Sequence, residues 1–541
     1  MRGNVARAAG VGVVAPGTAH VGLALEQDEV VDSLPEQPDA EGEPGEPGAD
    51  RNDADVLRKG IGVGRRDGER DFVLLERADD IGGTWRDNTY PGCACDVPSH
   101  LYSFSFAPNP DWSRTYSQQP EIYEYIRRTA SERGVLPYVR FGHEVQSSRW
   151  NDDAQHWEIE TSAGSLTANF LVSAMGPLSA PAWPKVEGLD GFEGKIFHSA
   201  EWDHDHDLDG AKVGVIGTGA SAIQFVPAIQ PRVGSMHVFQ RTPPWVLPRP
   251  DRATTRFERW AYRRFPILQR ITRTLVYWRQ ELIMVPGLVY RPKIMKIGEI
   301  ASRWQIRRHV KDEQLREDLT PDYRLGCKRI LISDEWYPAL AADNVEVVHS
   351  GIEEVRANSI ITADGTEREV DTIILGTGFR ATDAVGSERI YGRDGTNLHE
   401  SWEGSPQAHL GTTVAGFPNL FLLVGPNLGP GHTSVVFYTE SQVRYIMKAL
   451  EALEQRNATS FEVRRDVQDA YNADLQERMR GTVWTTGGCN SWYLDETGRN
   501  TTLWPGFSWE LRLRTREFEK TEHVLRSAPA ATPRDQTPVA A

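Results

Sequence analysis

The chain has 541 residues, 39% of them hydrophobic and 25% charged, an ordinary balance for a soluble globular protein with room for roughly two to four domains. Its formal charge of −16 speaks against nucleic acid as the main partner. The four cysteines show no C-x-x-C pair, which argues against a disulfide framework or a zinc site and fits a reduced, cytoplasmic setting. No apolar run of ~18 residues is present, so no transmembrane segment is expected, and no secretory signal opens the chain.

Residues 1–56 pass from Gly/Ala/Val into the acidic, Pro- and Gly-rich "LEQDEVVDSLPEQPDAEGEPGEPGADRNDAD". Such a segment buries too little apolar surface to offset its ordering entropy, and disorder is expected. Then "FVLLERADDIGGTW" (72–85) reads as the second half of a nucleotide-binding unit. A strand ends in Glu76, whose carboxylate can take both hydroxyls of a ribose, and Gly82-Gly83 permit a tight turn. The front half should start near residue 53. Gly60, Gly62 and Gly64 do not make G-x-G-x-x-G, because the sixth position is Arg65. Gly10-Val-Gly12-Val-Val-Ala15 matches G-x-G-x-x-A in letters, but Pro16 would fall in the first helical turn. Residues 1–67 are therefore expected to be disordered or aberrant, the product of a frameshift or misassigned start, leaving the first unit without its central strand.

From there strands alternate with helical stretches. Strands are predicted at 71–76, 169–175, 212–219, 236–241, 371–378 and 419–426. Residues 251–316 differ, with Arg interleaved among aromatics as in "RFERWAYRRFPILQRITRTLVYWRQ". They predict a helical insertion with solvated Arg on one face; a groove for an anionic cofactor or a membrane-surface contact are the alternatives. The motif "KVGVIGTGASAIQFVPAI" holds a complete strand–turn–helix, Gly217-x-Gly219-x-Ser221-Ala222. Gly217 allows the turn, Gly219 the approach of a pyrophosphate, and Ala222 close helix–strand packing. The next strand ends in Arg241-Thr242, and an Arg there suits a 2′-phosphate, favouring NADP(H) over NAD(H). Two nucleotide units suggest a bound cofactor exchanging electrons with a diffusible one.

"FEGKIFHSAEWD" fits F-x-G-x-x-x-H-x-x-x-W-[PD] through Phe192, Gly194, His198, Trp202 and Asp203. With the Gly217 loop just after it, the chain resembles the type I Baeyer–Villiger monooxygenases over about residues 70–520. The resemblance implies an α/β fold with two dinucleotide-binding (Rossmann-like) domains and a helical insertion, the first domain discontinuous and here incomplete. It implies an FAD domain from 68–190 and 381–520, an NADP domain at 191–380 with its insertion at about 251–316, and a disordered tail at 521–541. Glu76 resembles the FAD-ribose acid, and Gly82, Gly83, Thr84 and Trp85 the flavin-nucleotide loop. Asp96 resembles the acid beside the flavin, and Arg329 the active-site arginine, a buried cation oriented by that acid. Lys328 resembles a contact to the NADP 2′-phosphate and Trp492 a tryptophan that closes on NADP. His198 and Trp202 resemble a link between domains rather than a proton-transfer pair. His432 lies in a Gly-rich loop and its role stays open; Cys93 and Cys95 read as small core-filling residues.

The implied reaction uses NADPH and O2. A C4a-peroxyflavin on FAD attacks a small-molecule ketone, giving an ester or lactone. A permanently charged guanidinium suits the negative adduct. The alternatives are N- or S-oxygenation, a plain NADPH dehydrogenase, or a flavin-deficient remnant that binds NADP(H) alone; weak or no FAD binding is what the missing front half implies. No metal is expected.

Overall fold

A computed structural model describes residues 11–14, 72–380 and 386–527. Two five-stranded parallel sheets organise the chain. In the second sheet, Lys212–Ile216 lies at the centre between Ser235–Phe239 and Thr372–Leu375, with Val345–Val348 and Lys195–His198 at the edges. Its central strand runs as an almost wholly buried apolar stretch, as a strand covered on both faces must. The first sheet has Phe72–Leu75 and Val139–Arg140 on one side and Phe170–Ser173 and Leu420–Leu422 on the other.

Between those halves lies Val11–Val14, parallel to Phe72–Leu75 and to Phe170–Ser173. This corrects the expectation that the first sheet lacks its central strand. The strand comes from residues 11–14, far from the position near 53 where a compact unit would carry it. Gly10 and Ala15, the run Gly60–Gly64, and the remainder of 1–67 lie outside the described residues, as does most of the 521–541 tail.

All six strands expected from apolar runs are present, five of them shortened and the sixth, Ser235–Phe239, shifted toward its start. Two antiparallel meanders, Val145–Ala168 and Ile352–Glu369, were not anticipated. Their strands alternate charged and apolar residues, as in "HWEIET", so they lack the continuous apolar signal of the parallel core. The insertion is helical as expected: Arg256–Arg264, Pro266–Val285, Lys296–His309 and Glu313–Asp318. Thr255 starts it with a capping box closed by Glu258.

A candidate two-nucleotide active site

At the second sheet, Gly217 follows the central strand with φ 107°, and a Cβ there would sit 2.5 Å from the Gly376 carbonyl oxygen. Only glycine fits that turn. Gly219 faces open space, with one backbone atom at 3.9 Å. Ala222 is fully buried and opens the helix Ala222–Ile229, with Ser221 at its N-cap. Arg241 stands exposed past the next strand with Thr242 beside it. Lys328 arrives from elsewhere in the chain, its ammonium 5.1 Å from the Tyr323 ring centroid. Burial, and then the nearby Arg241 charge, hold the Lys328 amine below its usual pKa. A lysine crowded by burial and a second cation is what a dianionic group relieves.

At the first sheet, Glu76 is buried at the end of its strand. It accepts from the Ala78 N–H at 2.9 Å and pairs with Arg86 at 3.3 Å, while burial raises its pKa. Gly82 has φ 111°, and a Cβ on it would meet the Tyr123 ring at 2.7 Å; Gly83 also has positive φ. The short helix Thr84–Asp87 follows. Trp85 turns inward, its indole N–H donating to Tyr102 Oη at 3.0 Å while Gln119 donates to its carbonyl.

Arg329 and Asp96 meet across 233 residues: Nε and Nη2 both donate to Oδ2, at 3.0 and 2.6 Å. The Asp96 charge raises the guanidinium pKa further, so it stays protonated at any working pH. The expectation of a buried arginine is corrected, since 44% of the side chain is accessible. The Asp96 pair thus leaves guanidinium surface for a second anionic group.

The Asp96 segment is docked on the other nucleotide unit. Gln224, on the helix Ala222–Ile229, donates to the Ala94 carbonyl at 3.0 Å and accepts from the Ala94 N–H at 3.2 Å and the Tyr90 hydroxyl at 3.1 Å. Arg249 reaches the Cys95 carbonyl at 3.4 Å. Neither Gln224 nor Arg249 carried a sequence signal, because both partners lie over a hundred residues away. Cys93 and Cys95 are buried free thiols, Cys93 pushed up to about 12 by burial, so both fill core space.

Trp492 is half-exposed and lies against Tyr493, the ring centroids 4.6 Å apart and the planes tilted by 56°. Tyr493 is buried near Arg329 and Asp96, its hydroxyl pushed up to about 12 by burial. Sequence reading passed over Tyr493, whose proximity to the ion pair is tertiary. Cys489 of the same loop forms a disulfide with Cys327, directly before Lys328 and Arg329. This corrects the reading of all four cysteines as reduced; a separation of 162 residues leaves no spacing pattern.

The fingerprint residues lie together at the edge of the second sheet. A Cβ on Gly194 would collide with the Asp371 carbonyl oxygen. Phe192 packs against the core beneath this sheet. Trp202 is buried against Phe197 and Phe225, and Asp203 pairs with Lys195 at 2.5 Å. His198 is fully buried and its Nδ1 accepts from the Ala200 N–H. It stacks edge-on near Phe379, where 180–182 and 377–380 run side by side through bonds such as Ala182 N–H to the Gly378 carbonyl. His432 is buried and hydrogen-bonded at 2.9 Å to Glu281, which also accepts from Ser508. That network joins the insertion to the Gly-rich loop and the helix Ser508–Arg514.

No group of three or more metal-ligating side chains occurs among the described residues. Residues 67–384 match the family described as flavin-binding monooxygenase-like. The chain is 51% identical over 468 residues to a Baeyer–Villiger monooxygenase of Streptomyces coelicolor, covering 86% of this chain and 90% of that protein. It is 48% identical over 469 residues to one of Pseudomonas aeruginosa, covering 86% and 89%. Among solved structures it is similar to a steroid monooxygenase bound to NADP, with TM-score 0.77 and 27% identity over 96% of this chain and 99% of that one. A cyclohexanone monooxygenase from Rhodococcus sp. Phi1 bound to NADP+ gives TM-score 0.78 and 25% identity at the same coverage. The chain belongs to the flavin-binding monooxygenase-like family, among its Baeyer–Villiger monooxygenases.

Proposed function

We propose that this chain uses NADPH and O2 to insert an oxygen atom beside a ketone carbonyl, giving an ester or lactone. The Arg329–Asp96 pair, assembled from both nucleotide units, is the observation that carries this reading. FAD, once bound and reduced by NADPH, would supply the activated oxygen. The described residues fit NADP and the nucleotide end of FAD. Glu76 and the Gly82-Gly83 turn suit the FAD nucleotide. Gly217, Gly219, Ser221 and Ala222 suit the NADP pyrophosphate, and Lys328, Arg241 and Thr242 its 2′-phosphate. In this reading 68–190 and 381–520 form the FAD domain and 191–380 the NADP domain.

Arg329 stabilises the negative charge that builds on the carbonyl oxygen, since its side chain stays partly accessible while Asp96 holds the Nε and Nη2 edge of the fork. Asp96 is a positioning group. Trp492 and Tyr493 shield the site from water on one side. His198 and Trp202 brace the joint between the domains and move no proton.

The test is flavin absorbance of the purified chain, followed by product analysis with NADPH on a panel of ketones and sulfides. Esters or lactones with full flavin loading support the reading. Sulfoxides alone would place the chain with the S-oxygenating relatives, and a colourless protein that still binds NADPH would make it a remnant.

A further inference from the structure

The helices Arg256–Arg264, Pro266–Val285 and Lys296–His309 show an outer face unlike the rest of the surface. Fourteen of the twenty large hydrophobic side chains exposed among the described residues fall between Phe257 and Trp304. They are ordered by helical spacing. Ile267, Ile271, Leu275 and Leu282 recur at one side of the long helix, with Leu275 66% exposed. Ile297, Ile300 and Trp304 do the same on the third helix, and Phe257 and Trp260 on the first, their rings 5.6 Å apart.

This face is not a docking failure. The opposite side of the long helix is held by Gln269 donating to the Asn109 carbonyl at 2.7 Å and by Arg273 bonding the carbonyls of His100, Leu101 and Ser103. Tyr277 stacks on Phe437 at 4.9 Å. The outward apolar stripe therefore remains after the helix has satisfied its inner partners.

The charge is equally uneven. Residues 256–309 carry 13 Lys/Arg against 3 Asp/Glu in a chain whose net charge is −16. Those three acids are engaged internally: Glu258 caps its helix, Glu281 bonds His432 and Ser508, and Glu299 pairs with Arg324. Exposed cations such as Lys293, Lys296, Arg307 and Arg308 flank the third stripe.

We propose that this insertion is a membrane-docking face, seating its apolar stripes in the interface of an anionic bilayer with its Lys/Arg among the headgroups. Amphipathic helices that are apolar on one side and basic at the edges bind in this way. No helix of the described residues is long and apolar enough to cross a membrane, so the helices lie along the surface. A second copy of the chain is the weaker occupant, because two such faces would bring like charge against like charge. The acidic remainder of the chain turns the basic face toward an anionic surface.

The test is flotation of the purified full chain with phosphatidylglycerol/phosphatidylcholine vesicles and with phosphatidylcholine alone, at low and high salt. Binding to the anionic vesicles at least about tenfold above the neutral ones, weakened by salt, is expected. Leu275→Glu with Leu282→Glu should reduce flotation about tenfold or more, while circular dichroism, melting and NADPH affinity stay unchanged. Lys293→Gln, Lys296→Gln and Arg307→Gln, which leave the apolar face intact, should reduce the preference for anionic vesicles. Absence of flotation, or flotation insensitive to both sets of substitutions, overturns the proposal. So does a dimer, seen by analytical ultracentrifugation, that the Leu275/Leu282 pair dissociates while vesicles fail to bind.

Discussion

The two parallel sheets both have five strands about a central one and differ in strand order and in how the chain supplies it. The second sheet is drawn from 195–375, and its central strand, glycine turn and helix are consecutive. The first collects strands from 11–14, 72–75, 139–140, 170–173 and 420–422. A unit built from neighbouring residues advertises itself as a motif, whereas one built from distant pieces shows only its halves. The site then uses both, with Asp96 contributed beside the first sheet and Arg329 from the segment leading into the second.

Breaking that shared element should have the largest effect. Arg329→Ala is expected to lower ester formation by about 10²–10³-fold, the scale of removing one preorganised charge donor. Arg329→Lys should recover little, because an ammonium lacks the planar fork, and NADPH binding by either variant should change far less. Steady-state rates beside NADPH titrations check this.

The two glycine turns can be broken separately. Gly217→Ala places a Cβ against the Gly376 carbonyl in a left-handed conformation. A strain of about 1–3 kcal/mol predicts an NADPH KM raised about tenfold or more with flavin retained. Gly82→Ala meets the Tyr123 ring instead and should lower flavin content while NADPH affinity holds. If both variants lose both cofactors, the two units do not act independently.

Gln224→Ala cuts the contact between the units without touching Arg329. Loss of three hydrogen bonds to the Tyr90–Ala94 segment should lower kcat about tenfold with KM for NADPH nearly constant. Rapid-reaction measurements that separate flavin reduction from oxygenation would show the defect in the second step only.

Smaller effects attend Lys328. Its amine is depressed by burial and by Arg241, and a bound 2′-phosphate would restore its proton. NADPH affinity should therefore fall as pH rises through the lowered amine pKa, at less alkaline pH than for an ordinary lysine. NADH affinity should stay flat, and Lys328→Ala should abolish the difference between the two profiles. Last, alkylation of the denatured, unreduced chain should label Cys93 and Cys95 alone, and reduction should expose two more thiols.

Much of this molecule was legible. The apolar runs at 72–75, 170–173, 212–216, 235–239, 372–375 and 420–422 announced the strands, because a strand buried on both faces must be apolar throughout. Gly217, Gly82 and Gly83 could be read as turns because positive φ leaves few other residues. The meanders at 145–168 and 352–369 were hidden by their alternating polarity.

By itself the sequence determined the two-unit plan and the family fingerprint, since each rests on residue types at short fixed spacing. Only the tertiary structure decided that Val11–Val14 completes the first sheet, that Gln224 holds the Asp96 segment, that Tyr493 neighbours Arg329 and that Cys489 meets Cys327. Those pairings cross roughly 60 to 165 residues of chain, and no local pattern encodes a partner so far away. Outward apolar stripes on the insertion belong to both: helical spacing wrote them, and packing of the opposite face left them exposed.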